Sequence, residues 1–306
     1  MASNLYKILT SITKRTLISS NTLRWRPTCS QWSILNRTAI STTSQSKRTL
    51  SISALNSQTA RSFVKHASVD HAVIRDKKLF FVGDVQGCYD ELMELLDKAN
   101  AVNDDTVIFF VGDMLNRGPK NLEVLNFLVE QSLSTFAVRG NHEDIILQEH
   151  RMLKESSDYT LKPHLQWIDD IDSNGIDYLK SLPFTIALPS LNMIVVHAGL
   201  VPGKDLSQQE DNDMLRIRTL IHTDKGYVAK DLSDSGEGTP WASVWTGPER
   251  VIFGHDAARG LQLHEHAVGL DTGCVYGRQL TGLLLTEDKA EFVTVKAHDI
   301  YVNPFG

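Results

Sequence analysis

Acidic residues are missing from the first 69 positions of this 306-residue sequence, and Asp70 is the first carboxylate. The same stretch carries ten lysines and arginines and is rich in serine and threonine. Near its start, apolar residues stand at the spacing that lines one face of a helix: Leu5, Ile8, Leu9 and Ile12. An acid-free, basic, amphipathic leader is typical of a mitochondrial transit peptide. We therefore predict that residues 1–69 direct the protein to mitochondria, with a disordered basic tail that binds nucleic acid as the alternative.

Long apolar runs and cysteines are also scarce. No stretch approaches the roughly 18 consecutive apolar residues that a membrane-spanning helix needs, so we predict no membrane span. A secretory signal is disfavoured because the leader lacks an unbroken apolar core. Of the three cysteines, Cys29 lies in the leader, and the remaining Cys88 and Cys274 make no disulfide framework, which suits a reducing compartment such as the mitochondrial matrix. We expect both to be small buried or loop residues.

Positive charge is scarce in the rest of the chain. Taking the ten basic residues of the leader from the total of 31 leaves 21, against 37 acidic residues, so the formal charge of residues 70–306 is −16. Such a body is a poor non-specific binder of nucleic acid. An anionic substrate would need local positive charge, which metal ions can supply.

From about residue 78, short apolar runs alternate with helical segments, which is the pattern of a parallel α/β fold. Helical periodicity covers 89–100 and 121–131. The predicted strands are 78–82, 106–111, 135–138, 193–196, 251–253, 267–270, 280–286 and 290–295, the last two forming an antiparallel hairpin. Residues 203–247 are rich in Asp, Gly and Ser, and we predict an irregular, functional or mobile segment there.

Five polar side chains stand within a few residues of the ends of these runs: Asp84, Asp113, Asn141, His197 and His255. In open α/β folds, ligands gather outside the carboxyl ends of the strands, so we expect these side chains to converge. Oxygen and nitrogen donors of this kind suit Mn, Fe, Zn or Co. One such residue alone would more often be a helix cap or a structural histidine, but five together are hard to explain as caps.

The segments around these residues resemble a known signature. The series GDVQGCYDEL (83–92), GDMLNRGP (112–119), RGNHE (139–143), VHAGLVP (196–202) and FGHD (253–256) is similar to that of the PPP metallophosphatases. The later run GLDTGCVYGRQLTGL (269–283) is similar to the symmetrical dinucleoside-tetraphosphate hydrolases and their ApaH-like relatives. The resemblance extends over nearly the whole body of the chain.

This resemblance implies a role for each matching residue. Asp113 would bridge two divalent metal ions, with Asp84 and Gln86 on the first and Asn141, His197 and His255 on the second. Two such ions, about 3.5 to 4 Å apart, can hold a bridging hydroxide for in-line attack on phosphorus. His142 would protonate the leaving oxygen, Arg117 would grip phosphate oxygens, and either Arg216 or Arg218, preferably Arg218, would add a second phosphate contact.

Two positions depart from the general PPP pattern. Gln86 stands where the family places a histidine ligand, and its neutral oxygen should favour Mn or Mg over Zn or Fe. Asn116 replaces the acid that orients the catalytic histidine of protein phosphatases, so His142 should be less basic and less firmly aligned. By resemblance, both changes favour nucleotide or polyphosphate substrates. Trp241 and Trp245 could stack a nucleobase, although ordinary packing is the commoner role.

We therefore predict a four-layer α/β metallophosphatase domain over residues 75–306, a β-sandwich flanked by helices with two metal ions, preferably Mn, at the strand ends. The expected activity is hydrolysis of phosphoanhydrides, preferably in dinucleoside polyphosphates. Co, Fe, Zn and Mg are alternative metals. The alternative functions are a phosphoprotein phosphatase, a polyphosphatase, or a non-catalytic metal- and phosphate-binding module whose first metal site is disabled by Gln86.

Overall fold

The computed structural model describes residues 63–132, 135–230 and 238–303. Residues 1–62 of the predicted targeting segment, which include the apolar positions Leu5 to Ile12, lie outside the described part of the chain. A short strand, β1 (His66–Ser68), pairs in parallel with a strand at Thr185–Leu188. The folded body therefore begins before residue 75, where we predicted its start. Three residues without a run of apolar side chains give too little pattern to reveal a strand whose partner is more than a hundred positions away.

The other elements include every strand and helix that we predicted from residue 78 onward, together with several that we did not. The strands after β1 are β2 (Lys78–Val82), β3 (Thr106–Phe110), β4 (Thr135–Ala137), β5 (Thr185–Leu188), β6 (Met193–Val196), β7 (Thr219–Thr223), β8 (Gly226–Lys230), β9 (Thr239–Pro240), β10 (Arg250–Phe253), β11 (Gln262–Leu263), β12 (Ala267–Gly269), β13 (Gln279–Leu285) and β14 (Ala290–Lys296). The α-helices are α1 (His71–Ile74), α2 (Tyr89–Lys98), α3 (Asn121–Glu130), α4 (Asn141–Glu155), α5 (Ser173–Ser181), α6 (Asp211–Arg216) and α7 (Trp241–Val244), and 3-10 helices occupy Pro163–Asp170, Pro189–Leu191 and Leu206–Gln208. None of the described helices is long and apolar enough to cross a bilayer.

Two sheets carry the fold. One has six strands in the order β1-β5-β6-β10-β12-β11, and the other has five in the order β14-β13-β2-β3-β4. Strands β2, β3 and β4 run parallel to one another, as do β6, β10 and β12. The hairpin β13–β14 adds antiparallel strands beside β2, as the sequence predicts.

Alternation along β2 shows how the layers form. Leu79 and Phe81 belong to the apolar cluster between the two sheets, whereas Phe80 and Val82 belong to the cluster beneath the helices. Because successive side chains of a strand point to opposite faces, a strand that is apolar throughout is buried on both sides. Phe81 stacks on Phe109 of β3 with ring centroids 5.1 Å apart, which fixes the neighbouring strands at the centre of the sandwich.

Helices cover the outer faces of both sheets. The apolar stripe of α2, formed by Leu92, Leu95 and Leu96, packs under the five-stranded sheet with α3, α4 and α5. On the six-stranded sheet, α6 and α7 bury Met214, Leu215 and Trp241 against β6 and β10. Trp241 and Trp245 are both buried in this cluster, so they are packing residues and do not offer a free ring to a nucleobase. The predicted four-layer sandwich is confirmed.

The segment 203–247 differs from the irregular loop that we predicted. It contains α6 and α7 and a small sheet in which β7 pairs with both β8 and β9, while residues 231–237 lie outside the described part. Only Leu220 is fully buried in β7, and no residue of β8 is. A hairpin of mixed composition that buries so little lacks the apolar pattern on which strand prediction depends. For the other strands and helices that we predicted, the first and last residues lie within two residues of those observed.

Candidate active site

The five predicted donors lie together at one edge of the sandwich, each in the loop or helix start that follows a strand. Asp84, Asp113 and Asn141 follow β2, β3 and β4, which are neighbours in the five-stranded sheet. His197 and His255 follow β6 and β10, which are neighbours in the six-stranded sheet. The carboxyl ends of both sets of parallel strands therefore meet in one cleft, as strand-end geometry predicts.

The loops that carry the donors have unusual backbone conformations. Eight non-glycine residues in the described part have positive φ, and five of them belong to this site: Gln86 (46°), Asp113 (49°), Asn116 (78°), Arg117 (70°) and His255 (69°). Left-handed conformations are costly for residues with a Cβ and tend to cluster where a site needs them. The energetic cost of these five backbone conformations indicates that the site requires the side chains in these positions.

Asp113 is the centre of the arrangement. Its Oδ1 lies 3.3 Å from Nε2 of His197, and its Oδ2 lies 3.6 Å from Nε2 of His142. The ligand atoms of Asp113, His197 and His255 all lie within 4.8 Å of one another. Burial alone would raise the pKa of Asp113, but the neighbouring imidazoles of His197 and His142 lower it well below its usual range.

His197 shows most clearly what the site is built to hold. Its Nδ1 lies 2.9 Å from the carbonyl oxygen of Val111, to which it donates, and its Nε2 lies 3.0 Å from Oδ1 of Asn141. In the neutral ring, Nε2 then presents a lone pair to oxygens that are themselves acceptors. Burial disfavours the imidazolium, but Asp113 and the hydrogen bonds raise the pKa of His197. Either a proton or a cation must therefore lie among these lone pairs, and the backbone bond on Nδ1 is typical of a metal-ligating histidine.

Asp84 and His255 complete the set of donors. The backbone N–H of His255 donates to both carboxylate oxygens of Asp84, at 3.2 and 3.1 Å. Burial, together with the charges of Asp271 and Asp113, raises the pKa of Asp84 well above its usual value. Burial and the neighbouring His197 and Arg218 lower the pKa of His255 well below its usual value. Carboxylate and imidazole groups crowded together in this way form a donor set that suits divalent cations.

Gln86 is buried at the rim of the same cleft. Its backbone N–H donates to the carbonyl of Asp113 over 2.9 Å, and its carbonyl accepts from the N–H of Gly118 over 2.9 Å. These bonds tie the loop after β2 to the loop after β3. The role of the Gln86 amide as a metal donor stays a prediction.

His142 is oriented by the amide that replaces the acid of protein phosphatases. Asn116 Nδ2 lies 2.8 Å from His142 Nδ1, while Asn116 Oδ1 accepts from the N–H of Arg117 over 2.8 Å. Because the oxygen is engaged by a donor, the amide group donates to Nδ1, and the neutral ring carries its proton on Nε2, facing Asp113. Asn116 therefore orients His142 through this bond. Burial, followed by the charges of Arg117, His197 and Arg216, lowers the pKa of His142 to about 4, and the effect of Asn116 on its basicity stays a prediction.

Three arginines surround the cleft. Arg117 is exposed, hydrogen-bonds the hydroxyl of Tyr276 and lies over that ring with Cζ 5.6 Å from the centroid. Arg218 donates from Nη2 to the carbonyl of His255 over 3.0 Å. The carbonyl of Arg216 lies 3.1 Å from Nε2 of His255. Arg216, at the end of α6, and Arg218, just after it, thus both lie beside the second set of ligands, and the preference for Arg218 stays a prediction.

Sequence reasoning missed two buried carboxylates. Glu143 Oε2 accepts from the N–H groups of Asp113 and Gly140, both over 2.9 Å, and Oε1 accepts from Leu115 over 3.1 Å. Burial and the charge of Asp113 raise the pKa of Glu143 to about 7, and burial raises that of Asp271 to about 6. A signal existed for each: Glu143 stands three residues after a helix N-cap, and Asp271 follows β12 as the other donors follow their strands.

Comparisons with known proteins agree with this geometry. The sequence profile of the calcineurin-like phosphoesterases matches residues 77–277. The symmetrical bis(5'-nucleosyl)-tetraphosphatase of one Coxiella burnetii strain is 32% identical over 264 residues, which cover 68% of this chain and 89% of that protein. The enzyme of the same name from Photobacterium profundum is 27% identical over 276 residues, covering 73% of this chain and 99% of that one.

Solved structures give the same result. A crystal structure provisionally identified as a diadenosine tetraphosphatase superposes with a TM-score of 0.67 at 30% identity, covering 78% of this chain and 100% of the other. A protein serine/threonine phosphatase from Saccharomyces cerevisiae superposes with a TM-score of 0.53 at 17% identity, covering 81% of this chain and 88% of that chain. The second likeness extends to the fold alone.

Proposed function

Because this chain belongs to the calcineurin-like phosphoesterase family, and is therefore a hydrolase of the metallophosphoesterase type, we propose that it cleaves phosphoanhydride bonds in dinucleoside polyphosphates. The observation that carries the proposal is the ring of lone pairs formed by Asp113, Asn141 and His197. Relatives that match most of this chain are named for the same substrate class.

The donor set fits two divalent cations that share Asp113. Asp84, with the amide of Gln86, would serve the first cation, and Asn141, His197 and His255 would serve the second. When bound, such cations polarise phosphate oxygens and lower the pKa of a water molecule so that it can attack phosphorus. We propose manganese, because a hard amide oxygen replaces imidazole at Gln86 and favours a harder metal than zinc.

The side chains around the donors have separate tasks in this proposal. The imidazolium of His142 would give its Nε2 proton to the leaving phosphate oxygen and return to the neutral ring, with Asn116 orienting the ring from the Nδ1 side. Arg117 offers its planar fork to the substrate phosphates and is positioned by Tyr276, whose hydroxyl accepts from it and whose ring lies below its Cζ. Arg218, beside His255, supplies a second positive charge. An amide at position 116 is enough for this arrangement, and by resemblance the missing carboxylate favours a nucleotide substrate over a phosphoprotein.

Hydrolysis assays test the proposal directly. The purified chain, supplied in turn with Mn, Mg, Co and Zn, is given diadenosine tetraphosphate, long-chain polyphosphate and phosphopeptides. We expect manganese-dependent release of nucleoside diphosphate from the dinucleotide, at a higher kcat/KM than on the other two substrates. Asp113→Asn should abolish it, while the matched variant Asp170→Asn, at an exposed position on the 3-10 helix Pro163–Asp170, should not.

Each failure has its own meaning. A higher kcat/KM on phosphopeptides would identify a protein phosphatase, and a higher kcat/KM on polyphosphate would identify a polyphosphatase. Tight binding of the dinucleotide without turnover, with all four metals, would identify a binding module.

We also propose that residues 1–69 direct this hydrolase to the mitochondrial matrix. The acid-free, basic composition of the leader supports the idea. A fluorescent protein fused behind residues 1–69 should enter mitochondria and lose part of the leader, whereas a fusion with its ten basic residues changed to glutamine should not. Cytosolic or nuclear fluorescence of the unchanged fusion would contradict the proposal.

A further inference from the structure

A second group of potential metal ligands lies outside the active-site donors. The sulfurs of Cys88 and Cys274 and one carboxylate oxygen of Glu91 all lie within 4.8 Å of one another, and all three residues are buried. They come from two segments: Cys88 and Glu91 belong to the N-cap and first turn of α2, and Cys274 lies in the loop after β12. The two thiols are free. Neither the proposed hydrolysis nor the sequence pattern gives this cluster a task.

Glu91 indicates that the cluster is missing a partner. Its Oε1 accepts from the N–H of His298 over 2.8 Å and from the hydroxyl of Tyr301 over 2.9 Å. Its Oε2 is buried and has no hydrogen-bond partner among the described residues. No ion pair joins Glu91 to a basic side chain in that part of the chain either. Buried polar atoms are nearly always satisfied, so an orphaned carboxylate oxygen beside two thiols calls for an explanation.

A cation explains the three side chains together, whereas a disulfide does not. Oxidation of Cys88 and Cys274 to a disulfide would use both sulfurs and leave Oε2 of Glu91 without a partner. A cation would draw on all three donors at once. Thiolates with a carboxylate are a zinc-type donor set, since sulfur selects soft or borderline metals.

The separations are compatible with one ion. Tetrahedral coordination with Zn–S bonds of about 2.3 Å places neighbouring donor atoms about 3.8 Å apart. The donors already lie within 4.8 Å of one another, so they need to contract by at most about 1 Å. The active-site set, by contrast, offers only oxygen and nitrogen, so the two sites would select different metals.

We propose that Cys88, Glu91 and Cys274 form a structural site for one thiophilic divalent cation, with Zn²⁺ as the best match to the donors. Each thiol that binds gives its proton to the solvent, and no oxidant is required. The ion would tie the loop that carries Asp84 and Gln86 to the loop that carries Asp271 and Tyr276. The ion would thereby stabilise these two loops of the active-site cleft without contacting the substrate.

Cobalt titration of the full-length, fully reduced protein is the test, because thiolate ligands give Co²⁺ an intense charge-transfer absorption that oxygen and nitrogen ligands do not. We expect a band whose final intensity corresponds to one thiolate-bound cobalt per chain and which zinc displaces. Cys88→Ser and Cys274→Ser should abolish the band, and the matched variant Cys29→Ser should keep it. Glu91→Gln should weaken cobalt binding by at least the factor typical of an outer-shell partner, about tenfold.

The result does not depend on the hydrolase. Asp113→Asn, which removes the shared ligand of the active site, should keep the cobalt band. If the serine variants fail to fold, the unmutated protein still decides the matter, because the absence of a band with both thiols reduced overturns the proposal. A band that survives both serine substitutions overturns it as well. Loss of both free thiols and of two hydrogen atoms on exposure to air in the presence of zinc would identify a disulfide, and this result would also overturn the proposal.

Discussion

Replacing Gly254 with alanine tests whether Asp84 must lie where it does. Gly254 stands between β10 and His255, and a Cβ on it would lie 2.0 Å from Oδ1 of Asp84 and 2.7 Å from Cγ2 of Val111. Ordinary contact begins at 3.4 Å, so the carboxylate oxygen would have to retreat by about 1.4 Å. Asp84 is buried and held by the backbone of His255, so it can retreat only by leaving that position.

The effect on activity should exceed the effect on stability. An extra methyl group in a packed interior costs about 1 to 3 kcal/mol, which a domain of ordinary stability survives. Metal ligands, however, tolerate displacements of only about 0.2 Å. We therefore expect Gly254→Ala to fold, to lose the first cation, and to lose at least about 100-fold in kcat/KM on diadenosine tetraphosphate, the usual effect of a misplacement of about 1 Å. Thermal unfolding, metal analysis and steady-state kinetics measure the three quantities.

Gly260 provides the matched control in the same loop. Its φ is +68° and a Cβ there would meet nothing within 4 Å, so alanine adds backbone strain of about 1 kcal/mol without displacing a ligand. Gly260→Ala should therefore keep both cations and nearly all activity. If Gly254→Ala kept two cations and full kcat/KM, Asp84 would not be the ligand that the geometry indicates.

Three further substitutions test the residues around the donors. Asn116→Asp should place a carboxylate on His142 Nδ1 and raise the pKa of that imidazole by about 1 to 3 units, so the alkaline fall in kcat should move to higher pH; an unchanged pH–rate profile would exclude His142 as the acid. Arg117→Lys should raise KM more than it lowers kcat, by about tenfold, because lysine lacks the planar fork that lies against Tyr276; an unchanged KM would remove Arg117 from the phosphate site. The pKa of His142 is lowered from 6.5 to about 4, so between these values the unfolded chain binds a proton that the folded chain does not. The free energy of unfolding of the metal-free protein should therefore fall as the pH is lowered from 6.5 to about 4, and it should fall less steeply in His142→Gln. Urea unfolding at several pH values measures this pH dependence, and equal slopes in the two proteins would refute the assignment.

The sequence was sufficient wherever the pattern is local. Asp113 and His197 each follow a short apolar run, and a buried strand is recognisable from such a run without knowledge of its partners. The rule that donors gather at strand ends then brings them together. Strand β1 was not predicted because it is defined by its pairing with β5. The hairpin β7–β8 was not predicted because it buries little apolar surface.

Contacts between loops could not be predicted in the same way. Asn116 and His142 are 26 positions apart, and the backbone of one loop and the rotamer of the other decide that they meet. Glu91 and Tyr301, 210 positions apart, meet only because β13 and β14 return the chain to α2. These long-range contacts depend on the packing of whole layers, which cannot be predicted from the local periodicity of the sequence.

Anomalous X-ray diffraction from manganese-soaked crystals is the decisive test of the two-cation site. We expect two manganese peaks about 3.5 to 4 Å apart with Asp113 between them, one beside Asp84 and the other beside His197 and His255. A single peak, or none among these side chains at saturating manganese, would contradict the two-cation site on which the proposed hydrolysis depends.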